Sequence, residues 1–295
     1  MFTCAKPFLL HAISSVHAGS GSELGIVDLP IQREKHTGFP KIESSTLKGA
    51  IRANIYGKDE ETENLIFGTK KGETDYHGAS AVAFSDARTL LFPVKSMRNI
   101  FAYITCPSVL KRFNYECAIY QNEHIQLPVP EENTCSSNKL QIGNGTHIVL
   151  EEYAYEVKVD EETKQLAETL EAILFPNQNE GYLKDRLVVL TDDDFTDFVK
   201  LSTEVNARIR INPETGTVDK ETRALFYEEN LPPETVLYGF VFTSNSRQPE
   251  SKKQMTAEEV LELLTNGSMF PEVFQLGGNT TIGRGLLSRT FIEEV

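Results

Sequence analysis

Positive charge is scarce in this chain of 295 residues: 29 Lys and Arg stand against 43 Asp and Glu, a net charge of −14. That balance argues against a protein that coats DNA regardless of sequence, because such binding draws on a broad cationic surface. Cysteine is sparse as well. Cys4, Cys106, Cys117 and Cys135 form no C-x-x-C pair and have no histidine at metal-finger spacing, so structural thiols in a reducing, cytoplasmic compartment are the expectation. No apolar run approaches the roughly 18–20 residues of a membrane-spanning helix. Met1 to Lys6 lack the charged-then-apolar pattern of a cleaved signal. Internal repeats and low-complexity tracts are absent. The glycine-rich stretch Gly277–Gly285 matches neither G-x-G-x-x-G after a strand nor G-K-[ST], which removes nucleotide hydrolysis from the candidate activities.

What positive charge there is lies unevenly. Residues 1–57 carry six Lys and Arg against four Asp and Glu, whereas the remaining 238 carry 23 against 39. Screening confines such fields to about 8–10 Å at physiological salt, so one positive groove on an acidic body can still hold an RNA. With 40% apolar residues the chain can bury a substantial core, in one large domain or two small ones.

Periodicity predicts a short buried strand at residues 7–14, then an irregular loop to Glu43. A helix from Ser44 or Ser45 as N-cap to about Tyr56 follows, stopping at Gly57, with Leu47, Ile51 and Ile55 facing the core. Residues 58–80 read as a polar insertion, residues 80–93 as a strand and its continuation, and Phe101–Thr105 as another strand. A short helix from Pro107 to about Phe113, turn-rich sequence over 115–150 and a helix over 161–174 come next. Asp192 to Asp194 read as the cap of a helix starting near Phe195. Residues 205–211 alternate basic and apolar before the turn Asn212-Pro213-Glu214-Thr215-Gly216, a hairpin signal. Val236–Thr243 is a long apolar strand, and Thr256-Ala257-Glu258-Glu259 a capping box opening a helix to Leu264. The sum is α+β.

Functional groups concentrate in the segment from Val27 to Arg52. Asp28 can accept a proton, orient a hydroxyl or hold a hydrated metal ion; it can equally cap its own turn. Arg33 and Lys35 can meet phosphates or simply be solvated. Lys48 and Arg52, four apart on a helix that opens with Ser44, Ser45 and Thr46, are the stronger phosphate candidates, since free N–H groups and the helix dipole also favour an anion. His17 and His36 flank the loop, and His17 is the better proton-shuttle candidate. Gly278 and its glycine neighbours allow a close approach of backbone to a polynucleotide, with Arg284 on a phosphate. Arg208 and Arg210 can grip phosphates while Ile209 or Ile211 enters a base stack. Glu228 or Glu229 can supply a second acid beside Asp28.

Three segments together resemble the RAMP superfamily: His17-x-Gly19-Ser20-Gly21, Asp28-Leu29-Pro30-Ile31-Gln32-Arg33-Glu34-Lys35-His36-Thr37-Gly38, and Ser45-Thr46-Leu47-Lys48-Gly49. Within it they are similar to the family of the fourth Cmr subunit, the backbone of type III-B CRISPR effector complexes. Phe84-Ser85-Asp86-Ala87, Leu91-Phe92-Pro93-Val94, Phe226-Tyr227-Glu228-Glu229 and Gly277-Gly278-x-x-Thr281-x-Gly283-Arg284-Gly285 fit the same family. The resemblance implies a single RAMP domain over 1–295 whose ferredoxin-like, RRM-like palm is built from the N- and C-terminal parts. Insertions would lie at about 58–80 and 115–150, and a thumb β-hairpin at about 203–235. It implies self-association into a helical filament on CRISPR guide RNA, together with other Cmr subunits. It further implies cleavage of complementary target RNA at regular intervals by Asp28, with Mg²⁺ or Mn²⁺ as cofactor. Sequence choice would rest on base pairing. Lys48 and Arg52 map onto the palm helix that faces the guide. The alternatives are a non-catalytic guide-RNA scaffold and a guide-processing ribonuclease of the same superfamily with a histidine base. The chain has no tryptophan, and Tyr103 stands where many relatives carry one.

Overall fold

The computed structural model describes residues 2–22, 25–57, 59–69, 79–176, 181–209, 211, 215–218, 225–247 and 254–293. The first half of the chain forms β1 (Cys4–Ala12), β2 (Lys41–Ile42), α1 (Ser44–Ile55), α2 (Glu60–Phe67), β3 (Val82–Phe84), β4 (Ala87–Lys95), β5 (Phe101–Thr105), α3 (Pro107–Ile119), β6 (Thr134–Cys135) and β7 (His147–Leu150). The second half forms β8 (Tyr153–Glu156), β9 (Lys158–Val159), α4 (Glu161–Leu174), β10 (Leu187–Val189), α5 (Asp192–Leu201), β11 (Glu204–Ile209), β12 (Leu225–Asn230), β13 (Val236–Thr243), α6 (Ala257–Thr265), β14 (Val273–Gln275) and β15 (Leu286–Phe291). The fold class is α+β.

Eleven strands share one mixed sheet in the order β14-β15-β1-β13-β4-β5-β10-β6-β9, with β2 on β4 and β3 on β13. β1 is paired on both edges, antiparallel to β13 and to β15. That double pairing explains why Phe8, Leu9 and Leu10 are fully buried and why the run reads as continuously apolar rather than alternating. It also sets the strand's ends at Cys4 and Ala12 rather than at 7 and 14. The strand expected over 80–93 is broken at Ser85, whose hydroxyl accepts from the Phe240 N–H at 2.8 Å. β11–β12 and β7–β8 form separate two-stranded ladders.

The helices follow their apolar stripes. α1 buries Leu47, Ile51 and Ile55, α4 buries Leu166 and Leu170, and α6 carries the Thr256/Glu259 capping box. Four expectations change. Helix α1 has no side-chain cap; the Ser44 N–H donates to Asp86 Oδ1 at 2.9 Å and Lys41 Nζ to Asp86 Oδ2 at 2.8 Å. A carboxylate of the chain itself therefore takes the place expected for a bound anion. Residues 60–67, expected to be part of a polar insertion, are a helix capped by Asp59 that buries Leu65, Ile66 and Phe67. Helix α3 runs on to Ile119 because Cys117 extends its buried stripe. Helix α5 starts at Asp192, not near Phe195: Thr191 is the N-cap, and the three aspartates fill the first turn, where the helix dipole favours them.

The four cysteines are free, and Cys106, Cys117 and Cys135 are buried. Burial pushes the Cys117 thiol up to about 12 and that of Cys135 to about 11, so both are inert at neutral pH. Among the described residues no helix is long and apolar enough to cross a membrane.

Candidate active site on the edge of a hairpin strand

One edge of β12 organises the site. The Tyr227 N–H donates to Asp28 Oδ2 at 2.7 Å, and the Tyr227 carbonyl accepts from Leu29 N–H at 3.0 Å. Next along the edge, the Glu229 N–H donates to the Leu29 carbonyl at 3.0 Å, and the Glu229 carbonyl lies 2.7 Å from His17 Nδ1. Leu231 then exchanges both backbone bonds with Val16, at 2.9 and 3.0 Å. Two separate loop segments thus dock on one strand edge, anchoring Asp28 and His17 two residues apart along it, roughly 7 Å of strand. Asp28 is half-buried. Its Oδ1 has no hydrogen-bond partner among the described residues. A carbonyl can only accept, so His17 Nδ1 carries a hydrogen, which leaves Nε2 as the ring nitrogen through which a proton can be exchanged.

The glycine-rich stretch seats this histidine. Gly277 has φ +89°, and a Cβ there would lie 2.3 Å from the His17 carbonyl oxygen. Gly278 donates its N–H to the same oxygen at 3.0 Å. The close main-chain approach that these glycines allow is made to His17.

The two glutamates of β12 point to opposite faces, and both are committed to cations. Glu228 is 3% exposed. Its carboxylate accepts from Asn279 Nδ2 at 2.7 and 2.8 Å, Arg208 Nη1 at 3.2 Å and Arg284 Nη1 at 3.1 Å. Burial works to raise this carboxyl, but the Asn279 amide and the positive charges of His17 and Arg208 outweigh it and hold it below the ordinary range. Glu229 accepts from Arg33 Nη2 at 2.5 Å, Thr203 Oγ1 at 2.8 Å and the Ile31 N–H at 3.0 Å. Neither is a free second acid for Asp28. Among the described residues no group of three or more His, Cys, Asp or Glu is placed to hold a metal ion.

The expected RNA-binding cations divide. Arg33 Nη1 donates to the Gly38 and Val199 carbonyls at 2.8 and 3.0 Å, so this guanidinium is turned into the fold rather than towards a phosphate. Lys48 Nζ donates to Ser80 Oγ at 2.6 Å and the Val82 carbonyl at 2.9 Å; burial, then the neighbouring charge of Arg52, lower its pKa. Arg52 donates to Glu63 Oε1 at 2.6 Å and Asn64 Oδ1 at 2.8 Å. Both cations of the stripe expected to face RNA are thus engaged within the fold, Arg52 by α2 and Lys48 by the segment that leads into β3. Arg208 and Arg284 share Glu228, leaving their side chains 28% and 21% exposed. Lys35 is exposed on a turn and forms no hydrogen bond or ion pair among the described residues. Arg210 lies outside the described residues.

The hairpin carries an apolar face. Ile209 lies opposite Leu225 and Ala207 opposite Tyr227, and Val205, Ile209, Ile211, Leu225 and Tyr227 are all exposed. Two-residue alternation puts these on the face away from Arg208 and Glu228.

Known proteins match along nearly the whole chain. The model of the RAMP superfamily matches residues 9–288. The CRISPR system Cmr endoribonuclease Cmr4 of Pyrococcus furiosus is 37% identical over 293 residues, 96% of this chain and 94% of that protein. The crystal structure of oligomeric Cmr4 from Pyrococcus furiosus aligns with a TM-score of 0.70 at 27% identity, over 99% of this chain and 98% of that one. A chain of the type III-B Cmr-beta cryo-EM structure bound to cognate target RNA aligns with a TM-score of 0.73 at 22% identity, over 98% of both chains, a likeness of fold alone.

Proposed function

The chain belongs to the RAMP superfamily, and from that premise we propose that it is the backbone subunit of a type III-B CRISPR ribonucleoprotein. It binds guide RNA as a multi-copy filament with other Cmr subunits and cleaves complementary target RNA at regular intervals. The observation that carries the cleavage reading is Asp28. This half-buried carboxylate has one oxygen fixed by the Tyr227 N–H and the other open, beside an exposed apolar hairpin face.

RNA carries its own nucleophile in the 2′-hydroxyl, so a positioned base and a bent backbone suffice for in-line attack. Asp28 Oδ1 takes the hydroxyl proton. His17, in its imidazolium form with the Nδ1–H held by the Glu229 carbonyl, delivers its Nε2 proton to the departing 5′-oxygen and is left neutral. The apolar hairpin residues Ile209, Leu225 and Tyr227 enter the base stack and splay the duplex at the cut. Mg²⁺ or Mn²⁺, commonly held by one carboxylate together with substrate phosphates, would be held by Asp28 in place of its action as base, and would supply charge neutralisation at the scissile phosphate and acidify the attacking hydroxyl. Lys35 and the partly exposed rims of Arg208 and Arg284 meet the RNA backbone near Gly278. The strand order β15-β1-β13-β4, with α1 following β1 and α6 following β13, supports a ferredoxin-like palm, and β11–β12 the thumb. Buried thiols accord with a reducing, cytoplasmic compartment.

The test is Asp28→Asn in the reconstituted ribonucleoprotein. Target binding is expected to stay and cleavage to fall by about 10²–10⁴-fold, the scale of general base catalysis. Cutting at the wild-type rate would favour a non-catalytic scaffold. The open Nε2 of His17 favours one second reading, a guide-processing ribonuclease; metal-free cleavage of repeat RNA by the isolated chain would establish it.

A further inference from the structure

Arg33 holds more of the site together than any other side chain near Asp28. It closes the far end of the segment that Asp28 begins. Between them, Leu29 is bonded on both sides to β12, and Ile31 N–H donates to Glu229 Oε2 at 3.0 Å. Glu229 Oε1 receives Arg33 Nη2 at 2.5 Å and Thr203 Oγ1 at 2.8 Å. The second arm of the guanidinium bridges the carbonyl of Gly38, on the returning limb of the turn, and that of Val199, in the last turn of α5. One planar fork therefore joins the acid-bearing segment, the base of the hairpin and a helix end. The carboxylate it neutralises is almost wholly buried.

We propose that Arg33, through Glu229, is a positioning residue that fixes the register of the Asp28 segment on β12, and that it sets cleavage rate rather than RNA affinity. This rests on the reading of Asp28 as the catalytic acid-base group. The physical reason is the two-residue period of extended chain: a one-residue slip of segment 28–31 along β12 turns Asp28 to the opposite face. Backbone bonds alone permit either register. The Arg33–Glu229 pair permits one, because only there does the buried carboxylate meet both its cation and the Ile31 N–H. Lysine cannot replace the fork, since a single ammonium cannot span acceptors on three elements in one plane.

The experiment uses the reconstituted ribonucleoprotein with Arg33→Ala, Arg33→Lys, Glu229→Gln and, as reference, Asp28→Asn. Single-turnover cleavage at saturating target RNA is read beside target affinity at several salt concentrations. A misplacement near 1 Å can cost about 100-fold, so Arg33→Ala is expected to cut about 100-fold more slowly with unchanged affinity and salt slope. Arg33→Lys should recover little, and millimolar guanidinium added to Arg33→Ala should recover part of the rate. Wild-type cutting by Arg33→Ala, or slow cutting with weakened binding and a shallower salt slope, overturns the proposal and makes Arg33 respectively dispensable or a phosphate contact. If Arg33→Ala does not assemble, Glu229→Gln decides: it keeps the shape and the Ile31 acceptor but not the charge, and a wild-type rate in it is equally fatal. Active Asp28→Asn would instead overturn the underlying reading of the acid and leave the register argument distinguishable from it.

Discussion

Replacing Arg52 with leucine is expected to destabilise the fold and leave guide-RNA binding untouched. Arg52 Nε lies 2.6 Å from Glu63 Oε1, and Glu63 is 2% exposed. Arg52→Leu strands that carboxylate in a low-dielectric environment and also removes the partner of Asn64 Oδ1. Breaking a buried pair costs about 3–5 kcal/mol. The Arg52 side chain is 20% exposed, so water softens the loss and the lower end, about 3 kcal/mol, applies. That is roughly a hundredfold in the folding equilibrium, or about 6–12 °C in Tm for a chain of this size class. Urea unfolding of Arg52→Leu, Glu63→Leu and the double variant completes a cycle. The double variant should recover most of the loss, because an apolar pair of similar volume replaces a buried ion pair at little cost. In parallel, the slope of log affinity against log salt should stay at its wild-type value. A phosphate contact would lower it by about 0.7 on single-stranded RNA. A stability change below about 0.5 kcal/mol together with a shallower slope would refute the reasoning and return Arg52 to the RNA surface.

Acid stability tests the buried carboxylates. Burial works to raise Glu34, but Arg112, Thr37 and Arg88 outweigh it and hold its carboxyl below the model-peptide value of 4.5. Glu228 and Glu234 are lowered likewise against their burial. Lowered folded-state values contribute stability that is present above about pH 4.5 and lost as pH falls through them. Tm should therefore be nearly flat from pH 7 to 5 and drop below 4.5. Glu34→Gln should be less stable at neutral pH and less acid-sensitive, and parallel melting curves for the two proteins would contradict this. For the glycine seat, Gly277→Ala must relieve a 2.3 Å contact with the His17 carbonyl at φ +89°, whereas Gly283→Ala, at φ +81°, meets nothing within 4 Å. Gly277→Ala should melt lower by at least 1–3 kcal/mol of backbone strain and slow target cleavage. Gly283→Ala should show the backbone part alone; equal melting of the two would remove the His17 contact from the account.

What sequence could reveal was local. The four-residue stripe of α1 and the Thr256 capping box depend on neighbours within two turns and stand where the spacing puts them; of the α4 stripe that the spacing places at Leu166, Leu170, Ile173 and Leu174, the first two are buried and the last two are partly exposed. Asp28 and His17 could be picked out as chemical types. Their common anchor could not, because β12 lies about 200 residues downstream and nothing in Leu225–Asn230 marks which of its edges receives the loop. The spacing of Lys48 and Arg52 places them on one face of one helix, and α1 carries both. What engages that face is tertiary: Glu63 and Asn64 reach Arg52 from α2, while Ser80 and Val82 reach Lys48, and the polarity of the surrounding sequence hides a helix whose apolar residues are Leu65, Ile66 and Phe67. The pairing of Arg208 and Arg284 through Glu228 and Asn279 joins three distant segments and has no sequence signature.

The internal pairings also bear on how an acidic protein can hold an RNA. Glu34 takes up Arg88 and Arg112, Glu63 takes Arg52, Glu229 takes Arg33, and Glu228 takes Arg208 and Arg284. Six arginines are thereby engaged by four buried carboxylates, so the surface field is weaker than even the low count of cations suggests. In the proposed filament, Lys35 and the rims of Arg208 and Arg284 supply little charge, so most of the grip comes from terms that do not scale with it, the aromatic and aliphatic groups of the hairpin against bases. Such terms read the shape of a paired guide and are indifferent to its sequence, as a subunit that leaves recognition to base pairing requires. Three of the four carboxylates then serve the geometry of the site, Glu34 and Glu229 by holding the loop after Asp28 and Glu228 by holding the glycine-rich stretch, whereas Glu63 joins α2 to α1. Rigidity along the Asp28 segment is obtained from the Arg33–Glu229 pair, whose guanidinium is turned into the fold.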